Sequence, residues 1–509
     1  MSTPKNHFFC HFNLYAFAIL FAVAASFMYW GLGYTYYNAP FIFVLAALFG
    51  LFMGFNIGGN DVANSFGTSV GAGTLSIPQA LAVAAVFEVS GALIAGGEVT
   101  NTIRNGIVNL EEMPIAPMEF VYIMMSALIA AAAWLLFATK KGWPVSTTHS
   151  IIGAIVGASL SLGVIVEASD PLAIVQWGQI GQIAVSWVLS PVLGGLMSFV
   201  IFSLIKKHIL MHGDIAEHGT YSRRVRAMRP HQARSERPQQ VVHQKLSERL
   251  VLLYAMLRGE TVQDAPDTPE ERDIARRALR VYIPLLAAFA ALIIAYMVIF
   301  KGLKNLRLEM SNLQYALIFA AIGLGMWFIA WRVSKRFRSY EISRATYVMF
   351  SWMQVLTASC FAFSHGSNDI ANAIGPFAAI LEVLRTGSMQ ATAPIPFAAL
   401  LAFGVALVAG LWFIGKEVIA TVGTHLAEMS PASGFTAELA AAIVVLVASS
   451  FGLPVSSTHI LIGAVLGIGV VNRNANWQLM KPIALAWIIT IPAAAIISAV
   501  ACILFLFIF

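Results

Sequence analysis

The sequence predicts an all-α polytopic membrane protein, with about twelve transmembrane helices in two inverted repeats containing broken or re-entrant helices. Three observations predict it. Of 509 residues, 59% are hydrophobic and only 11% charged, and the mean hydropathy is +0.77; a soluble protein of this length would need far more charge to cover its surface. Apolar stretches of about 20 residues, long enough to cross a hydrocarbon core, recur along the chain. Finally, two polar motifs each occur twice, in the same order. "GGNDVANSFG" (58–67) matches "GSNDIANAIG" (366–375) at six of ten positions with an offset of 308, and "WPVSTTHSIIGAIVG" (143–157) matches "LPVSSTHILIGAVLG" (453–467) at nine of fifteen with an offset of 310.

Taken in order, the first apolar run covers 13–31. Ala22-Val23-Ala24 fits a signal-cleavage pattern and Lys5 precedes the run, but the apolar stretch continues through Trp30, so it reads as a retained helix. The run 39–58 leads into the first N-D motif. Segments 79–97, with Glu88 inside it, and 118–138 follow. Segment 147–167 opens on a Ser/Thr/His cluster and reads, like 458–472, as a half-helix or re-entrant element. Segment 177–205 closes the first half. After a polar stretch come 281–300 and 313–331, then 347–365, which leads into the second N-D motif, and then 395–415, 436–452, 458–472 and 483–508. The three cysteines, Cys10, Cys360 and Cys502, are scattered and give neither a disulfide framework nor metal-ligand spacing.

This order divides the chain into an N-terminal segment with an additional transmembrane helix (1–38), a first repeat (39–205), a polar loop (206–280), connecting helices (281–346) and a second repeat (347–509). The loop holds 15 Lys+Arg against 10 Asp+Glu, and the positive-inside rule places it in the cytoplasm. Within it "QKLSERLVLLYAMLRG" (244–259) has the apolar spacing of an amphipathic surface helix. The net charge of +6 therefore reports orientation in a bilayer, and no nucleic-acid partner is expected. The second repeat begins seven segments after the first. That odd offset inverts it in the membrane if every segment crosses, an architecture of secondary transporters.

The motifs place polar groups where lipid penalises them. An Asp at a bilayer centre costs roughly 2.5–3.5 kcal/mol on insertion scales. Asn60, Asp61 and Asn64, repeated as Asn368, Asp369 and Asn372, could simply cap helices at the interface. A helix ended at Gly58-Gly59 and restarted at Asn-Asp would also expose backbone N–H groups to an anion, while its carboxylate and amide oxygens would offer hard ligands to a small cation, sodium at Asp61 and Asp369 included. The hydroxyls of Ser146, Thr147, Thr148, Ser456, Ser457 and Thr458 follow a proline that suits a first helical turn. They can donate to an oxyanion or serve as ordinary N-caps. His149 and His459 read as packed rather than proton-carrying. Glu88 reads as an interhelical hydrogen-bond partner, Glu438 as an acidic residue in a helix's first turn, and Arg104 as an interfacial snorkelling charge.

With "NSFGTSVGAGTLS", "FEVSGALIAGGEVTNTIRNGI" and "SPASGFTAELAAAIVV", these motifs resemble the PiT inorganic phosphate transporter family, in order and over roughly 40–505. The resemblance implies secondary uptake of inorganic phosphate across the plasma membrane by symport with sodium or protons, no cofactor, and a fold of inverted repeats with a dimer-forming scaffold. It implies that Asp61 and Asp369 couple the cation. It implies that Asn60, Asn64, Asn368 and Asn372, with Ser146, Thr147, Thr148, Ser456, Ser457 and Thr458, face phosphate, and that Glu88 and Glu438 support transport. Some relatives carry sulfate, and the motifs leave the cation open.

Two other classes fit the motifs less well. A membrane enzyme acting on phosphate esters would need a nucleophile with an oriented base, or a metal cluster; no third orienting group is present, and paired motifs suit a shared binding site better. An anion channel usually carries positive rings, and the motifs contain no Lys or Arg.

Overall fold

The computed structural model describes residues 4–109, 115–166, 170–210, 277–296, 299–300, 310–336, 342–389, 395–415, 418–419, 429–475 and 477–509. Among these the chain is helical, with a single isolated β-bridge between Val108 and Val175. The first half contributes α1 (Pro4–Tyr34), α2 (Pro40–Ile57), α3 (Ala63–Gly71), α4 (Ile77–Ala95), α5 (Gly97–Asn105), α6 (Pro117–Lys140), α7 (Thr147–Ile165) and α8 (Trp177–Ile205). Two helices, α9 (Ile283–Tyr296) and α10 (Asn312–Arg336), come next among the described residues. The second half adds α11 (Ile342–Asp369), α12 (Ala371–Thr386), α13 (Phe397–Ile414), α14 (Pro431–Ser450), α15 (Ser457–Asn472) and α16 (Trp477–Ile508). Among the described residues twelve helical runs are long and apolar enough to cross a membrane, so the chain is a multi-pass membrane protein.

Local chemistry sets the helix starts. α6 and α14 begin on Pro117 and Pro431; Glu119 accepts from the Ala116 N–H (2.8 Å), and Ser430 accepts from the Ser433 N–H (3.3 Å). These contacts satisfy N–H groups that a first turn leaves unpaired. At the other ends of α6 and α14, Gly142 (φ 66°) and Gly452 (φ 67°) adopt the left-handed conformation. Glycine enters it without the penalty of a Cβ, and the turn sends the chain into the extended Pro-Val-Ser that starts α7 and α15.

The two halves pack through matched crossings. α7 lies on α16 as α15 lies on α8, and α11 lies on α4 as α2 lies on α13. The matching extends to single backbone atoms. A Cβ on Gly58 would lie 1.7 Å from the Leu407 carbonyl oxygen, and one on Gly366 would lie 2.1 Å from that of Glu88. The partner contacts are Gly410 on Phe55 (1.7 Å) and Gly91 on Phe363 (2.1 Å). Two helices built from related sequence therefore cross in the same register, with glycine where the backbones touch. This internal two-fold correspondence is the structural counterpart of the repeated motifs.

Several expectations need correction. The N-D motifs do not break their helices. Residues Gly58–Val62 form one π-helical turn joining α2 to α3, and α11 passes into α12 across a single residue, Ile370, at φ −62° and ψ −26°. A π turn absorbs an extra residue while keeping the chain helical, so no helix N-terminus opens there. The segment expected at 347–365 runs from Ala345 to Thr386 with Pro376 inside it. The helices α3, α5 and α12 lie beyond the segments that the apolar runs mark. Of the expected loop, Lys206–Leu210 extend α8 as a π turn. The possible amphipathic helix 244–259 lies outside the described residues.

Candidate functional site

The polar motif residues converge in the interior. Asp61, on the π turn, accepts from Thr147 Oγ1 of its own half and from Thr458 Oγ1 of the other half (2.9 Å). Asp369 accepts from Ser457 Oγ. Asn372 Nδ2 donates to Thr147 Oγ1 (3.1 Å) and Thr148 Oγ1 (3.3 Å), while Thr148 Oγ1 donates to the Val455 carbonyl (3.1 Å). Each half thus supplies hydroxyls or amides to the other's motif. All these side chains are buried. The side chain of Asn64 lies outside the described residues.

The first asparagine of each motif reaches the turn before the next Ser/Thr cluster. Asn60 donates to Thr139 Oγ1 (3.0 Å) and the Trp143 carbonyl (3.0 Å), and accepts from the Val145 N–H (3.2 Å). Asn368 meets Ser449 Oγ at 2.9 Å, and with its amide nitrogen toward the Val455 carbonyl (3.1 Å) it pairs that turn too. Each asparagine ties its motif to the turn before α7 or α15.

Ser146 and Ser456 are the N-caps of α7 and α15, accepting from the N–H groups of His149 (3.1 Å) and His459 (3.2 Å). A capping hydroxyl still has its own proton to donate. The helix N-termini, the natural seats for an anion, therefore belong to α7 and α15 and not to the N-D motifs. These two N-termini approach one another. His149 and His459 lie 4.5 Å apart between ring centroids, flanked by Trp187 (4.0 Å from His149) and Trp487 (3.8 Å from His459).

Sequence reasoning missed His365. Its Nδ1 lies 2.8 Å from Glu88 Oε2 and its Nε2 lies 2.7 Å from Asp369 Oδ2. Donor atoms of Asp61, His365 and Asp369 all lie within 4.8 Å of one another. The two carboxylates suit a small hard cation; the imidazole departs from an all-oxygen set. The available signal was position: His365 stands one helical turn before Asp369, on the same face.

Glu438 does not lie in a first turn. α14 starts at Pro431, and Glu438 sits about two turns further on, fully buried. Its Oε1 accepts from Thr68 Oγ1 (2.7 Å), Ser69 Oγ and Gln354 Nε2 (3.2 Å), and its Oε2 from Thr357 Oγ1 (2.9 Å). Four neutral donors replace the water this carboxylate would lose on burial. Arg104 is not a snorkelling charge either: it is 2% exposed, and the carboxylate of Glu382 on α12 supports its charge. α5 packs on α12, a contact that hydropathy cannot reveal.

Comparison with known proteins places this geometry in context. The model of the phosphate transporter family matches residues 57–498. A Mycobacterium bovis protein assigned as a phosphate permease is 52% identical over 95% of this chain and 91% of its own length. The inorganic phosphate transporter 2-1, chloroplastic, of Arabidopsis thaliana is 35% identical over 89% of this chain and 70% of its own length. The solved structure described as the sodium-dependent phosphate transporter superposes with a TM-score of 0.72 at 32% identity, covering 92% of this chain and all of that one.

Proposed function

Since the chain belongs to the phosphate transporter family, and is thus a transporter and not an enzyme, we propose that it imports inorganic phosphate by symport with sodium or protons at a site built from both repeats. The observation that carries this reading is the holding of Asp61 from both halves, by Thr147 and Thr458. A group shared between two related bundles is where a rocking movement of one against the other can expose the same ligand to either side.

In this reading Asp61 and Asp369 bind the coupling cation. Phosphate takes hydrogen bonds from the capping Ser146 and Ser456, and from Thr147, Thr148, Ser457 and Thr458 once those hydroxyls turn their protons away from Asp61, Asp369 and the Val455 carbonyl, with charge stabilisation from the N-termini of α7 and α15. Asn60 and Asn368 hold the motif turns, Asn64 and Asn372 complete the polar lining, and Glu88 and Glu438 support the site.

Charge makes coupling obligatory. Two carboxylates and a phosphate bring three or four negative charges, the motifs contain no Lys or Arg, and each helix N-terminus offers only about half a charge. Leaving the excess uncompensated would cost several kcal/mol per ion. Phosphate is favoured over sulfate because at neutral pH it keeps a proton that an ionised carboxylate can accept. The sodium-dependent neighbour supports sodium, although His365 beside the acids also suits a proton.

The test is uptake of labelled phosphate into sealed proteoliposomes, with sodium and proton gradients imposed separately. Uptake against the phosphate gradient should require one of them. Concentrative uptake with both gradients collapsed and no internal phosphate would refute symport.

A further inference from the structure

The two aspartates stand in unequal surroundings although their motifs are duplicated. The matched crossings set Gly366 against Glu88, and Gly58 against Leu407. In the second crossing the places of His365 and Glu88 are therefore taken by Ile57 and Leu407. Asp61 accepts hydrogen bonds from two hydroxyls; Asp369 meets a hydroxyl, the imidazole of His365 and, with Asn368 turned toward Val455, the Asn368 amide (3.0 Å).

The imidazole is itself held. α4 can bring Glu88 to it only because glycines at 91 and 366 let the backbones of α4 and α11 touch. Glu88 Oε2 fixes Nδ1 in an aligned contact of 2.8 Å. The Nε2 then lies 2.7 Å from Asp369 Oδ2, a charge contact without good hydrogen-bond alignment. All three side chains are buried. Glu88 lies outside the cluster of Asp61, His365 and Asp369 donor atoms.

Resting on the reading of this cluster as the cation site, we propose that Glu88 is a positioning residue that acts through His365. It fixes the ring, and the ring fixes Asp369, so that one aspartate of the pair is oriented before the cation arrives. Outer groups that orient metal ligands in this way are typically worth about 10–100-fold in ion affinity. The rival role is direct: Glu88 Oε1 has no partner among the described residues and could itself touch the ion.

A double-mutant cycle separates the two roles. The variants are Glu88→Gln, His365→Gln and the pair together. The readout is the concentration, for half-maximal phosphate uptake, of whichever cation drives the native protein. The same titration is read as cation-dependent thermal stabilisation in detergent with phosphate present, which does not need turnover. Each single variant should raise the half-saturating concentration about tenfold or more, with a smaller change in maximal rate. The double variant should match His365→Gln. Glu88→Asp, which keeps the charge but shortens the reach, should weaken binding in the native background and have no effect beside His365→Gln. Multiplied effects in the double variant would overturn the proposal in favour of direct contact, and an unchanged cation dependence in Glu88→Gln would overturn it outright. Absence of any cation-driven phosphate uptake by the native protein would refute the functional reading instead, and would be seen without any variant.

Discussion

Gly366→Ala tests whether the crossing of α11 on α4 holds the site together. A methyl group at 366 would lie 2.1 Å from the Glu88 carbonyl oxygen, 2.8 Å from its carbonyl carbon and 2.9 Å from its Cα. All three are backbone atoms, so no side chain can rotate away. Restoring a carbon–oxygen separation of about 3.3 Å requires the helices to part by roughly 1 Å. The same displacement would carry Glu88 Oε2 from 2.8 Å to nearly 4 Å from His365 Nδ1, beyond the roughly 3.2 Å limit of a hydrogen bond. Overpacking of this kind costs about 1–3 kcal/mol, and a misplacement of about 1 Å in a working site can cost on the order of a hundredfold in rate. The assay pairs thermal unfolding in detergent with labelled-phosphate uptake after reconstitution. Gly325→Ala on α10, where a Cβ meets nothing within 4 Å, is the control and should behave as the native protein. Native stability and native uptake in Gly366→Ala would show that the crossing does not set the geometry of Glu88 and His365.

Three further outcomes are expected. Asp61→Asn and Asp369→Asn should each abolish phosphate accumulation while inserting normally, because removing a charge from the membrane eases insertion; near-native uptake by either variant would remove that acid from the site. Ser146→Ala and Ser456→Ala should each lower stability by about 1 kcal/mol through loss of an N-cap. They should also weaken phosphate at least tenfold if the hydroxyl donates to it, the yield of about 1.5–3 kcal/mol for a hydrogen bond to a charged group; a loss of stability with unchanged phosphate affinity would leave both as caps. Arsenate, protonated like phosphate, should compete in uptake assays, and sulfate should not; equal inhibition by sulfate would favour the sulfate-carrying branch.

Much of the molecule was legible in one dimension. Burial in lipid imposes long apolar runs, so composition and run length gave a multi-pass helical protein. Duplication leaves an offset in the chain, so the paired motifs by themselves point to two related halves. The cost of polar groups in hydrocarbon marked Asp61, Asp369 and the serine and threonine clusters as residues needing an explanation. Helix continuity was misread, because Gly-Gly before Asn-Asp has the composition of a stop and a start. Only the packed neighbours at Leu407 and Ile414 show that these glycines serve close approach.

What the tertiary structure alone decided is which groups meet. Thr458 reaches Asp61 from 397 residues away, and Glu88 reaches His365 from 277. Neither separation has a periodicity that a sequence can display, because partner choice across a helix crossing depends on rotation and register. The same holds for Glu438, which looked like a first-turn acid and is instead enclosed by Thr68, Ser69, Gln354 and Thr357, and for Arg104, whose burial depends on α12. The sequence determined the class, the duplication and the pair of buried acids, Asp61 and Asp369. The structure decided that the duplicated halves are chemically unequal, because packing sets an imidazole, itself bonded to Glu88, directly against Asp369, while the hydrogen bonds to Asp61 come from hydroxyls.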